Sequence, residues 1–110
     1  MSSPVREPGL DRHEWETEWQ ALAPLVVDSP AEVLPELDDL VERMMVERGY
    51  PVEEDRVREA PEPEVVAEFL EARRLTRRVE DGESVAPSDI GAAITGYRNL
   101  YEYLLERSVA

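Results

Sequence analysis

The chain has no cysteine, one histidine and only five glycines. Without cysteine there are no disulfides, no thiolate nucleophile and no cysteine-ligated zinc or iron–sulfur centre. Basic charge is also scarce: the 12 basic residues are all arginine and face 26 carboxylates, for a formal net charge of -14. An acid excess of this size repels nucleic-acid phosphates and anionic lipid headgroups, so direct binding to either is not expected. Basic partners, metal ions or plain solubility remain compatible with it. No window approaches the roughly 20 apolar residues that a membrane span requires, and the opening MSSPVREPGL lacks the apolar run of a signal peptide. A cytoplasmic protein is expected. No segment alternates with period two for long enough to form a strand, and no glycine-rich phosphate loop, nucleophile elbow or other catalytic signature is present.

What is present is helical periodicity. At 110 residues, with 42% apolar and 35% charged, the chain is long enough for one domain with a modest core. Residues 1–10 carry two prolines and a glycine without period and read as a flexible leader; 11–108 read as a single helical domain. Trp15, Trp19, Leu22 and Val26 are spaced four, three and four apart, which predicts a short amphipathic helix over about 11–24, with Asp11 as cap and Pro24 bending or ending it. Ser29, Pro30 and Glu32 resemble a capping box that opens a helix over about 30–48. Its inward stripe is Val33, Leu37, Leu40, Val41, Met44 and Met45, and Gly49, Tyr50 and Pro51 form its terminator. Pro35 sits inside this pattern and is not explained by it. After an acidic connector, Pro63 opens a third helix over about 63–80, with Val65, Val66, Phe69, Ala72, Thr76 and Val79 facing inward and Asp81-Gly82 closing it. Pro87 opens the most regular helix, about 87–107, whose stripe is Ile90, Ala93, Ile94, Tyr97, Leu100, Tyr101, Leu104 and Leu105. Gly91 and Gly96 lie inside it, and a close helix approach is expected at one of them. The fold class is therefore all-α: a small bundle of three main helices and a shorter N-terminal one.

A tryptophan-bearing first helix, Asp28 and Pro30, Asp38, Leu40-Val41, Arg48-Gly49-Tyr50-Pro51-Val52, Pro63, Val65-Val66, Ala72, Tyr97-Arg98-Asn99-Leu100-Tyr101 and Leu104-Leu105 together resemble a family of small helical proteins common in actinobacteria and related bacteria. The resemblance covers about Trp15 to Leu105. Pro35, Leu70 and Ala86 depart from the pattern. The family has no established activity, so the resemblance implies a helical fold and no particular chemistry.

Several residues could carry a function. Arg73, Arg74, Arg77 and Arg78 crowd into two turns of the third helix and suit an acidic partner, a phosphate or a carboxylate; the favoured alternative is neutralisation by carboxylates of the fold, such as Glu71 or those of the second helix. Trp15, Trp19, Phe69, Tyr97 and Tyr101 could line a ligand pocket, but aromatics at helical spacing are more often core. Met44 and Met45 are adjacent and cannot both point inward equally, which suggests Met45 at a rim that adapts to a partner. His13 among Glu14, Glu16 and Glu18 invites a metal reading but lacks the ligand spacing of a zinc site, and no carboxylate cluster has the alternation of a calcium loop. No catalytic, cofactor or metal residue is assigned, and no enzyme activity is expected. The favoured reading is a non-catalytic interaction or adaptor module with an unidentified protein partner, self-associating through the last helix or the tryptophan face. One alternative is an acidic nucleic-acid mimic that sequesters a basic partner; another is a small-ligand or metal-binding helical domain.

Overall fold

The computed structural model describes residues 10–107, with side chains from Arg12 onward. Four α-helices follow one another: α1, Leu10–Asp28; α2, Pro30–Glu47; α3, Pro63–Glu80; and α4, Pro87–Glu106. A short 3-10 turn, Glu54–Glu59, interrupts the connector between α2 and α3. No strand occurs among the described residues, and no helix is long and apolar enough to cross a membrane. The residues expected to form a flexible leader, apart from Leu10 at the start of α1, lie outside the described part.

α2 and α4 are the centre of the bundle. Each touches the other and both α1 and α3, whereas α1 and α3 do not pack on each other. The predicted stripes explain this, because Val33, Leu37, Leu40, Val41 and Met44 on α2 and Tyr97, Leu100 and Leu104 on α4 are almost wholly buried. Phe69 and Val66 close the core from α3, and Trp15 from α1. Leu34 joins the α2 stripe, and Leu70 is buried on α3. Val65 and Val79, expected inside, are half-buried at the edge of the core.

Both predicted glycine terminators form. Gly49 takes φ +84° and Gly82 φ +82°, the left-handed conformation that glycine adopts without a Cβ penalty. At the end of α2 the Tyr50 N–H bonds the Met45 carbonyl at 2.9 Å and the Gly49 N–H bonds Val46 at 3.0 Å. Glu83 and Gly82 repeat this double bond to Arg78 and Val79 at the end of α3, both at 3.0 Å. Tyr50 folds back and is buried.

Four sequence expectations are corrected. α1 does not stop near residue 24 but continues through Pro24 to Asp28. Pro24 and Gln20 are both exposed, so the carbonyl that loses its partner can bond water, while continuation packs Val26 against the core. Asp11 consequently lies inside α1 and not at its cap. The capping box is not made, since Ser29 has no side-chain cap bond. Its backbone is engaged twice instead, donating to the Leu25 carbonyl at 2.7 Å and accepting from the Val33 N–H at 3.0 Å, which leaves a one-residue corner between α1 and α2. Pro30 supplies the break there, because its ring disfavours helical geometry at Ser29 and would clash with the carbonyl of Val26. Finally, Met45 is as fully buried as Met44 and occupies no rim.

Candidate functional site

The arginines of α3 are used mostly by the fold. Arg73, with 16% of its side chain exposed, holds Asp38 of α2 through its Nη2 at 2.6 Å and its Nε at 3.1 Å, bonds Glu42 as well, and lies 4.6 Å above the ring of Phe69. These carboxylates raise its already high pKa, Asp38 most of all. Arg74 pairs with Glu71 at 2.8 Å and reaches Glu54 at 3.6 Å, and Arg78 pairs with Glu83 at 3.1 Å. Arg77 is exposed, and among the described residues it has no ion pair.

Asp38 also ties α2 to α4. The Tyr97 hydroxyl donates to its Oδ2 at 2.8 Å and stands 2.7 Å from the Thr76 hydroxyl of α3. Each hydroxyl carries one proton, so the arrangement that satisfies the carboxylate has Thr76 donating to Tyr97 and Tyr97 donating to Asp38. Burial pushes the Tyr97 phenol far above its usual range, and the Asp38 charge adds to the effect. The chain Thr76–Tyr97–Asp38–Arg73–Glu42 therefore cross-links three helices. Every polar member is partnered inside the protein, so the cluster offers no idle acid or base to a substrate.

The tryptophans are likewise committed. Trp15 is 5% exposed beneath the Arg48 guanidinium, which lies 4.6 Å from its ring centre. Trp19 stacks on Tyr101 with centroids 4.4 Å apart and planes 11° from parallel. Both tryptophans and the second half of the α4 stripe, Tyr97, Leu100, Tyr101, Leu104 and Leu105, all expected to support self-association, thus pack within one protomer, while Ile90 and Trp19 are only partly covered. His13 is exposed beside an open groove between α1 and α2 that is crossed by the Arg43–Glu18 ion pair at 2.6 Å, while Arg43 also pairs with Asp39 along α2 at 3.1 Å. Among the described residues no three histidines or carboxylates converge as a metal site.

A surface that sequence reasoning missed lies at the corner between α1 and α2. There the bend at Ser29 and the first half of α4 enclose an open groove of about 640 Å³. Val26, Pro30, Ala31, Pro87, Ile90 and Ile94 give it an apolar lining. A Cβ added at Gly91 would meet nothing within 4 Å, so the groove stays open over that residue. Next to it the apolar run from Ala21 to Val27 is only partly covered, with Leu25 39% and Val27 81% exposed. Asp28, Glu32 and Arg98 stand on the groove's rim, and none has an ion pair among the described residues. The charge-free run from Ala21 to Val27 was the legible signal, masked by the expectation that Pro24 ends α1.

Comparison with known protein families, with curated proteins and with solved structures finds no match.

Proposed function

We propose that this protein is a non-catalytic interaction module whose docking surface is the corner groove between α1, α2 and α4. The observation that carries this reading is an open groove with an apolar lining from Val26, Pro30, Ala31, Pro87, Ile90 and Ile94, next in sequence to exposed Leu25 and Val27. An apolar face next to a polar rim is the usual form of a partner-binding surface. The absence of chemistry in this reading rests on the pairing of the titratable groups in the α2–α3–α4 cluster with one another. The partner is a protein, and the setting proposed is the cytoplasm. The kinship with small actinobacterial-type helical proteins is part of the same proposal, supported by the Arg48-Gly49-Tyr50-Pro51-Val52 segment acting as a helix terminator.

The nucleic-acid mimic carries less support. Exposed carboxylates occur on all four helices and on the connector, and several are neutralised by arginine, whereas a mimic concentrates acids on one face. Affinity capture with wild type, with Gly91→Trp and with a charge-matched unrelated protein tests the reading. The indole of Gly91→Trp fills the groove, and its Cβ meets no atom of the fold within 4 Å. The expected outcome is a captured protein lost with Gly91→Trp; capture indifferent to that substitution, or equal to the control, refutes the module.

A further inference from the structure

We infer that the occupant of the corner groove is an amphipathic helix of a partner protein, with an apolar face and a basic flank. The inference rests on the groove being a docking surface and adds the chemistry of what docks there.

Length suits a helix. α4 lines the groove from Pro87 to Arg98, which at about 1.5 Å per residue is about 16 Å, or three helical turns. A partner helix presenting apolar residues at i, i+4, i+7 and i+11 covers a strip of that length. Val26, Ile90 and Ile94 form the floor that those residues meet. The groove is open to solvent and not enclosed, which suits a rod more than a buried small molecule.

Charge selects the flank. Asp28 and Glu32 stand at the α1–α2 end of the groove with no cation partner among the described residues, so basic side chains of an incoming helix gain partners there. Arg98 stands on the same rim, likewise without an ion pair among the described residues, and suits the helix's carboxyl-terminal carbonyls, whose dipole is negative. The net charge of -14 adds long-range attraction for a basic segment and speeds its encounter. It acts against a second copy of this chain, which would bring the same charge and two further rim carboxylates to the contact.

The test uses the 110-residue chain labelled at its valine and isoleucine methyls and two synthetic helical peptides of about 18 residues. Both carry leucine on one face; one has lysine and the other glutamate on the opposite face. The Leu/Lys peptide is expected to shift the methyls of Val26, Val27, Ile90 and Ile94 together, in one saturable micromolar event, and the Leu/Glu peptide to leave them in place. Gly91→Trp should abolish the event. The pair Asp28→Asn with Glu32→Gln should weaken it by about fivefold, as expected of two exposed charge contacts, without altering the fold. Equal binding of both peptides, shifts spread over distant methyls such as those of Val57 and Val65, or no binding overturns the inference. So does a concentration-dependent shift of the same methyls without peptide, because the occupant is then a second copy. A native partner that requires the open groove while the Leu/Lys peptide does not bind overturns the basic helix and leaves the interaction module standing.

Discussion

Asp38 is the residue with the most at stake. Its carboxylate is the common acceptor for Arg73 and Tyr97, each mostly or wholly removed from water, so deleting it strands a cation and a phenol at the centre of three helices. Asp38→Ala should lower unfolding stability by about 2–4 kcal/mol, read as a reduced urea midpoint with an unchanged slope. Glu42 softens the loss because it retains Arg73. Tyr97→Phe should cost less, about 1–1.5 kcal/mol, because Asp38 keeps its arginine and Thr76 can turn its proton to the Ala72 carbonyl, 2.9 Å away. The converse ordering would show that the phenol, and not the carboxylate, organises the cluster. None of this could be derived from spacing along the chain, since Asp38 and Tyr97 are 59 positions apart. The four arginines were legible as a patch, but only the packing of α2 on α3 shows that Arg73 belongs to Asp38 while Arg77 has no ion pair among the described residues.

Glycines separate the effects at the scale of the element. Gly49 terminates α2 at φ +84°, and a Cβ there is strained however much space surrounds it. Gly96 is an ordinary helical position, where an added Cβ would lie 3.8 Å from the Cβ of Ala72, a normal contact that fills space between α3 and α4. Gly96→Ala should therefore raise the unfolding free energy by up to about 1 kcal/mol, and Gly49→Ala should lower it by about 1–2 kcal/mol. Paired thermal or urea melts of the two variants check the signs. If both substitutions stabilise, the left-handed terminator is not required. The terminator was readable from Arg48-Gly49-Tyr50-Pro51 because its requirement is local. The reach of α1 beyond Pro24 was not, since it depends on which side of the helix faces water.

At the scale of the whole molecule, one clasp joins the ends of elements remote in sequence. Glu62, just before α3, accepts hydrogen bonds from Tyr103 of α4 and Tyr50 beyond α2, with Arg107 at 3.9 Å. These bonds, that from Tyr103 most strongly, hold the Glu62 carboxyl below the ordinary glutamate value of 4.5. The folded protein thus resists protonating Glu62 at a pH where the unfolded chain already binds the proton, so stability from this group is present above 4.5 and is lost as pH falls through the folded value. Glu18, lowered by its bond from Arg43, acts in the same direction. Urea midpoints should drop as pH is taken from neutral to below that value. The drop should be shallower in Glu62→Gln; an identical slope would remove the clasp from the account of acid sensitivity.

The sequence by itself determined the elements. Apolar side chains at helical spacing can be buried only on a shared stripe, and proline starts and glycine stops obey backbone sterics that act within a few residues. It also determined the charge, and with it the partners that are repelled. Tertiary structure decided which stripes remain for anything outside. The tryptophans and the second half of the last helix pack within the protomer, while the unremarkable run from Ala21 to Val27 leads into the corner at Ser29, where Val26 and the first half of α4 line an open groove. The reason is geometric. Exposure depends on how elements cross, and two helices separated by a single residue can bring an apolar floor, an acidic rim and the first half of α4 together only after the chain has folded.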